Sequence, residues 1–266
     1  MVERNPSQLR LRVFAGPNGS GKSTIIKKIR TTRVNDNQKL DFGIYINADD
    51  IAQNLKKGNF TFSSYQVSTS KYDLLDFALS QGLLFGGFSQ IDFGKSFSTD
   101  GNKLKVLIME YLDRVAQIIA RFLRHALIKA KKRFSFETVF SHESNLDDMR
   151  LAVEAGYKVY LYFVSTESPE INKYRVALRV KEGGHDVPGE RIKQRYYRSL
   201  DLLYNAAEIA YQAYFFDNSL DDAPYTVTAH FKVISGEKVW DQIPEGDMAV
   251  WFRKYYKNKI VNCPDE

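Results

Sequence analysis

Cysteine is nearly absent from this chain, with Cys263 the single one among 266 residues. That excludes an intrachain disulfide and a metal centre built from clustered thiolates. Long apolar runs are missing too. No segment approaches the ~20 consecutive apolar residues that a membrane-spanning helix requires, and residues 1–10 are polar, without the apolar stretch of a signal peptide. These absences lead us to expect a cytoplasmic protein with no membrane partner. Nor is there a large excess of one charge: 38 Lys plus Arg stand against 32 Asp plus Glu, a formal net charge of +6. Such a surplus suits an anionic substrate, and does not by itself separate a small ligand from nucleic acid. The apolar fraction of 44% is that of a globular chain able to bury a sizeable core.

Against this background one stretch stands out. Gly16-Pro17-Asn18-Gly19-Ser20-Gly21-Lys22-Ser23 fits the pattern of Gly, four residues, then Gly-Lys-Ser/Thr. An apolar run, Leu11 to Ala15, precedes it as a short buried strand; Thr24 and the residues after it, with Ile25, Ile26 and Ile29, follow as a helix with one apolar face. Strand, glycine-rich loop and helix are the context this motif requires. Its glycines allow positive φ and turn successive N–H groups toward one point, where the helix N-terminus also favours negative charge. Residues 16–24 are therefore expected to bind the phosphates of a nucleoside triphosphate. Lys22, expected to lie open to the ligand with little core packing, would reach the β- and γ-phosphates. The Ser23 hydroxyl would take one position on a bridging Mg²⁺.

The rest of the chain alternates. A strand is expected over 42–46, ending in Asn47-Ala48-Asp49-Asp50 before a helix. Residues just past the carboxyl end of a parallel strand face the ligand crevice, so one of the two aspartates is expected to point there and the other to cap the helix. Residues 56–110 read as an insertion, with a helix over 71–84 and polar, glycine-bearing stretches around it. A long amphipathic helix is expected over 107–132, and its basic end, residues 129–133, reads as a solvated helix terminus. In Phe134-Ser135-Phe136-Glu137-Thr138 an acid sits within an aromatic strand, where burial is costly unless a partner or ligand is at hand, so Glu137 is a site candidate. Ser144 reads as the cap of a helix over 146–155, and a strand follows at 157–164.

Arginines concentrate next. A helix over 169–180 carries Arg175 and Arg179; Gly183, Gly184, His185 and Pro188 break it; a second helix from 190 carries Arg191, Arg195 and Arg198. Two helices about a glycine turn form a lid able to close over phosphates. His185 reads as a turn-stabilising group. After a late strand ending at Phe216-Asp217-Asn218-Ser219, a hairpin (225–233 with 238–240) and a terminal helix (248–256) are expected as a small C-terminal addition.

Residues 16–24, Asn47-Ala48-Asp49, Phe136-Glu137-Thr138, Gly156-Tyr157, the run from Arg175 to Tyr196 and Phe216-Asp217-Asn218-Ser219 together resemble, in order, the zeta-toxin family of P-loop kinases. The resemblance covers about residues 10–220. It implies an α/β, three-layer P-loop kinase fold with a mostly parallel sheet and a helical lid. The insertion near 56–110 and the tail lie outside the resemblance, and the chain is expected as a core over 1–223 carrying that insertion, with a small hairpin and helix appended over 224–266. The resemblance implies a kinase using ATP and Mg²⁺ on a small phosphorylated acceptor such as UDP-N-acetylglucosamine, with a small antitoxin protein as partner and no nucleic acid. It further implies Lys22 on phosphate, Asp49 as base, Glu137 and Thr138 at the substrate, and Arg179 with Arg191 or Arg195 on the transferred group. The family's substrate strand commonly reads Glu-Gly-Thr where this chain has Glu137-Thr138-Val139. Two other readings stay open: a polynucleotide or small-nucleotide kinase, using the aromatic and basic residues of 195–198 and 251–257 on nucleic acid, and a non-catalytic ATP-binding regulator.

Overall fold

The computed structural model describes residues 8–35, 38–183, 186–221 and 223–261. Gly184 and His185 of the basic turn lie outside them, as does Cys263. The chain divides into two compact units, Met1–Phe42 with Glu137–Glu266, and Gly43–Phe136.

The first unit begins with β1 (Arg10–Ala15), α1 (Lys22–Thr31) and two short antiparallel strands, β2 (Arg33–Asn35) and β3 (Gln38–Lys39). The second unit runs through β4 (Ile44–Ile46), α2 (Ala48–Lys56), α3 (Lys71–Ser80), α4 (Gln90–Ser96), the hairpin β5 (Phe97–Asp100) and β6 (Lys103–Val106), α5 (Leu112–Lys129), and the start of β7 (Phe134–Thr138). The chain then returns to the first unit with α6 (Ser144–Glu154), β8 (Lys158–Ser165), α7 (Pro169–Lys181), α8 (Gly189–Asp201), α9 (Leu203–Ile209), β9 (Gln212–Asp217), β10 (Thr226–Ile234) and β11 (Glu237–Trp240).

In the first unit the strands lie in the order β11-β10-β9-β8-β1. β1 pairs in parallel with β8 (Phe14 opposite Tyr162) and β8 with β9 (Tyr162 opposite Tyr214), while β10 and β11 continue antiparallel. In the second unit β4 runs parallel to β7, with Ile46 opposite Phe136. The architecture is α/β with a mostly parallel sheet, as expected. The period of two in β8 places Val159, Leu161 and Phe163 on a fully buried face, shared with Val13 of β1 and Phe215 of β9. On the other face rings stack in a row, Phe42–Phe14 at 5.3 Å, Phe14–Tyr162 at 4.8 Å, Tyr162–Tyr214 at 5.2 Å and Tyr214–His230 at 4.2 Å.

The second unit is organised on α5, whose Val115, Ile119, Leu123 and Leu127 are fully buried at helical spacing. It is shorter than the sequence suggested, because residues 109–111 form a 3₁₀ turn before it. The helix expected over 71–84 stops at Ser80, where Gly82 takes φ 61 and Leu83 N–H bonds back to the Ala78 carbonyl. Residues 89–102, one of the polar, glycine-bearing stretches, hold α4 and β5. Ser70 with Asp73, and Ser89 with Asp92, are reciprocal capping boxes at α3 and α4.

Three further expectations are corrected. The strand expected over 42–46 has only three residues, Ile44–Ile46. Ser144 does not cap α6: it is the first residue of that helix, and its hydroxyl is bonded to His142 Nδ1 at 2.9 Å. The terminal helix breaks into Val250–Phe252 and a π turn, Arg253–Lys257, with Phe252 and Tyr256 stacked at 5.2 Å and both rings against Phe215.

Candidate functional site

β1 is wholly buried beyond its first residue, and it delivers the chain into the glycine loop at the carboxyl end of the sheet. A side chain at Gly16 would bring its Cβ to 2.0 Å from the Val164 carbonyl oxygen. Gly21, at φ 92, is the residue before α1, and a Cβ there would meet Asn218 Nδ2 at 2.2 Å. Only glycine fits at either place. Gly21 offers no side-chain cap, and the first turn of the ten-residue α1 carries no acid, so the positive end of that helix suits an anion.

Lys22 is a correction to its expected exposure. It is 8% exposed, and its Nζ donates to the Gly16 carbonyl at 2.8 Å and the Pro17 carbonyl at 2.9 Å. The ammonium therefore sits over the loop that it would share with a phosphate. Ser23 Oγ lies 3.5 Å from Glu137 Oε1, so the last positions of the loop motif and the end of β7 meet. Glu137 is half-buried. Thr138 holds the following loop in shape: its hydroxyl accepts from Phe140 N–H at 3.1 Å and donates to Asn145 Oδ1 at 3.2 Å, around a positive φ at Phe140.

The arginines separate by role. Arg195 Nη1 reaches Asn18 Oδ1 at 3.4 Å, which puts it beside the glycine loop. Arg179 and Arg191 are exposed on α7 and α8, two helices joined by a small apolar cluster of Val176, Val180, Val187 and Ile192. Arg175 is diverted from the lid. It donates to the carbonyls of Asn218 and Leu220 and pairs with Asp221 at 2.6 Å. Tyr196 is buried and donates to the Thr166 carbonyl at 2.6 Å; burial, with the charge of Glu167, pushes its phenol pKa up and keeps it a donor.

Asp49 belongs to the second unit, in the first turn of α2. The helix is capped by Asn47, whose Oδ1 accepts Asp49 N–H at 2.8 Å, so neither Asp49 nor Asp50 serves as the cap. Both carboxylates are exposed. Among the described residues no three His, Cys, Asp or Glu side chains form a metal-holding group.

Asn218 was not among the expected site residues. Its Nδ2 donates to the Ser20 carbonyl at 2.9 Å and its own N–H to the Ser165 carbonyl at 2.9 Å, tying the glycine loop to the ends of β8 and β9. Its place in Phe216-Asp217-Asn218-Ser219, just past a parallel strand, was the available signal. Within the aromatic and basic stretch 251–257, Trp251 and Tyr256 are buried, Tyr255 is half-buried and Lys254 is exposed.

No family model matches the chain. Over 74 residues it is 36% identical to an uncharacterized protein of Haemophilus influenzae, an alignment covering 28% of this chain and 53% of that protein, so the match spans about half the relative's length. Among solved structures the chain is similar to one from the PezAT chromosomal toxin-antitoxin system of Streptococcus pneumoniae, at 14% identity and a TM-score of 0.48, covering 82% of this chain and 71% of that one. It is also similar to the AvrRxo1-ORF1:AvrRxo1-ORF2 structure with sulphate ions, at 16% identity and a TM-score of 0.49, covering 87% of this chain and 60% of that one.

Proposed function

We propose that the chain is an ATP-dependent phosphotransferase of the zeta-toxin type, moving the γ-phosphoryl of ATP to a hydroxyl of a small anionic acceptor, a UDP-sugar such as UDP-N-acetylglucosamine. The observation that carries this reading is the glycine loop: an uncapped helix N-terminus behind Gly21, a buried Lys22 at the same loop, and Ser23 within 3.5 Å of Glu137. Backbone N–H groups and the ammonium would hold the β- and γ-phosphates. Ser23 Oγ is a hard oxygen donor of the kind Mg²⁺ takes, and would supply one of its ligands; the ion, when bound, neutralises charge on the phosphates.

In the transfer the acceptor oxygen forms its bond to the γ-phosphorus as the bond to the ADP oxygen breaks, and the hydroxyl proton passes to Asp49. Arg195, beside Asn18, with Arg179 and Arg191 from the lid, would offset the charge spread over the transferred group. Glu137 and Thr138 would orient the acceptor. The same reading brings a small antitoxin protein as partner and a cytoplasmic setting. The burial of Trp251 and Tyr256 takes two rings away from a polynucleotide reading, which keeps the exposed Tyr197 and Arg198.

The test is to incubate the protein with γ-labelled Mg·ATP, first with UDP-N-acetylglucosamine and then with a cell metabolite extract, and to identify the labelled product. A labelled sugar nucleotide supports the proposal. Label found only on polynucleotide, or on nothing, refutes it.

A further inference from the structure

We infer that Trp251, in the C-terminal segment, is a positioning residue for the phosphate loop. The inference rests on the nucleotide reading only for its kinetic consequence. Trp251 is 2% exposed, and its indole N–H donates to Asp217 Oδ1 at 2.8 Å. The same oxygen accepts the Ser219 hydroxyl at 2.7 Å, and Ser219 Oγ in turn accepts Glu167 N–H at 2.9 Å. Between Asp217 and Ser219 lies Asn218, whose amide holds the Ser20 carbonyl and stands where a side chain at Gly21 would otherwise be.

A second clamp fixes the arm that bears Trp251. The Glu167 carboxylate accepts Val250 N–H at 2.8 Å and Trp251 N–H at 3.3 Å, and Thr228 Oγ1 accepts Ala249 N–H at 2.6 Å. Two carboxylates at the ends of β8 and β9 thus fasten the arm to the loop that supports residues 20 and 21. Hydrogen bonds to an ionised acceptor are short and roughly twice as strong as neutral ones, which suits them to fixing geometry. Without the indole, Asp217 loses one donor of its turn, and Asn218 loses the anchor beside it.

The test uses Trp251→Phe, which keeps an aromatic ring beside Phe163 and Phe252 and removes the N–H together with part of the indole's volume, and Asp217→Asn, which keeps the whole indole and weakens the same bond. Ser70→Ala, at the α3 cap, is the control for a general loss of stability. Two readouts are followed: hydrogen exchange of the Ser20, Thr24 and Ile25 amides without nucleotide, and the split between KM for Mg·ATP and kcat. We expect exchange about tenfold faster at those amides and KM raised about tenfold with kcat little changed, effects that Ser70→Ala does not reproduce. Loop exchange and KM that move no more in Trp251→Phe than in the control overturn the inference. If Trp251→Phe does not fold, Asp217→Asn is judged by the same criteria. If the wild-type protein binds no nucleotide, the proposed function fails while the exchange measurement still decides the role of Trp251.

Discussion

Lys22 has two tasks, and they should separate in measurement. Its ammonium would bind phosphate, and in the structure it also satisfies the carbonyls of Gly16 and Pro17 inside a tight loop. A buried acceptor left without its donor costs about 1–3 kcal/mol. Lys22→Ala is therefore expected to abolish Mg·ATP binding and to lower Tm by several degrees (~2–4 °C per kcal/mol for a chain of this size). Calorimetry with and without ATP checks both; unchanged Tm would mean that the carbonyl contacts contribute nothing. Among the arginines, Arg175→Ala should act mainly on stability, because its guanidinium joins α7 to the turn after β9 through two carbonyls and Asp221. A large fall in kcat with unchanged Tm would reassign Arg175 to the transferred group.

Elements carry the next set of expectations. The α7–α8 pair presents Arg179 and Arg191 on exposed surfaces and Arg195 beside Asn18. An arginine that touches a transferring phosphoryl is worth roughly 10³–10⁵ in rate, so alanine at Arg195 should lower kcat far more than ATP affinity. An unaltered kcat in the alanine variants of all three would remove the lid from the mechanism. At α3, Asp73 is held below the usual carboxylate pKa by the Ser70 backbone N–H and then by the Ser70 hydroxyl. A carboxyl whose pKa is depressed by folding contributes stability above its unfolded value, and that contribution fades as pH falls through the lower folded value. Asp73→Ala should thus be less stable than wild type at neutral pH, with the gap closing below about pH 4. A gap that persists unchanged at pH 2 in denaturant titrations would show that the capping box is not its cause.

At the scale of the whole molecule, the order of strands and helices was legible because each side of the sheet enforces its own period. The run from Lys158 to Ser165 could only be a strand, and the 3.6-residue spacing of Val115 to Leu127 only a helix. The glycine loop was legible because its chemistry is local: three glycines, a lysine and a serine act within eight residues. What the sequence hid depends on partners distant along the chain. Asn218 meets Ser20 across 198 positions, and Trp251 meets Asp217 across 34. The burial of Lys22 depends on carbonyls whose direction no composition reveals. Helix ends were also misjudged where a neighbour outbid the local cap, as with Asn47 in place of an aspartate and the 3₁₀ turn before α5.

The central claim is that the glycine loop serves phosphoryl transfer, with Asp49 taking the acceptor proton. Its most direct test is single-turnover transfer of label from γ-labelled Mg·ATP to the identified acceptor, in wild type, Lys22→Ala, Asp49→Asn and Asp50→Asn. Positioned bases contribute about 10²–10⁴ in rate. Predicted is no transfer by Lys22→Ala, transfer at least about a hundredfold slower by Asp49→Asn with ATP binding intact, and a near wild-type rate for Asp50→Asn. Wild-type transfer by Lys22→Ala would contradict the account at its root, and near-normal transfer by Asp49→Asn would move the base elsewhere, with Glu137 the next residue to test.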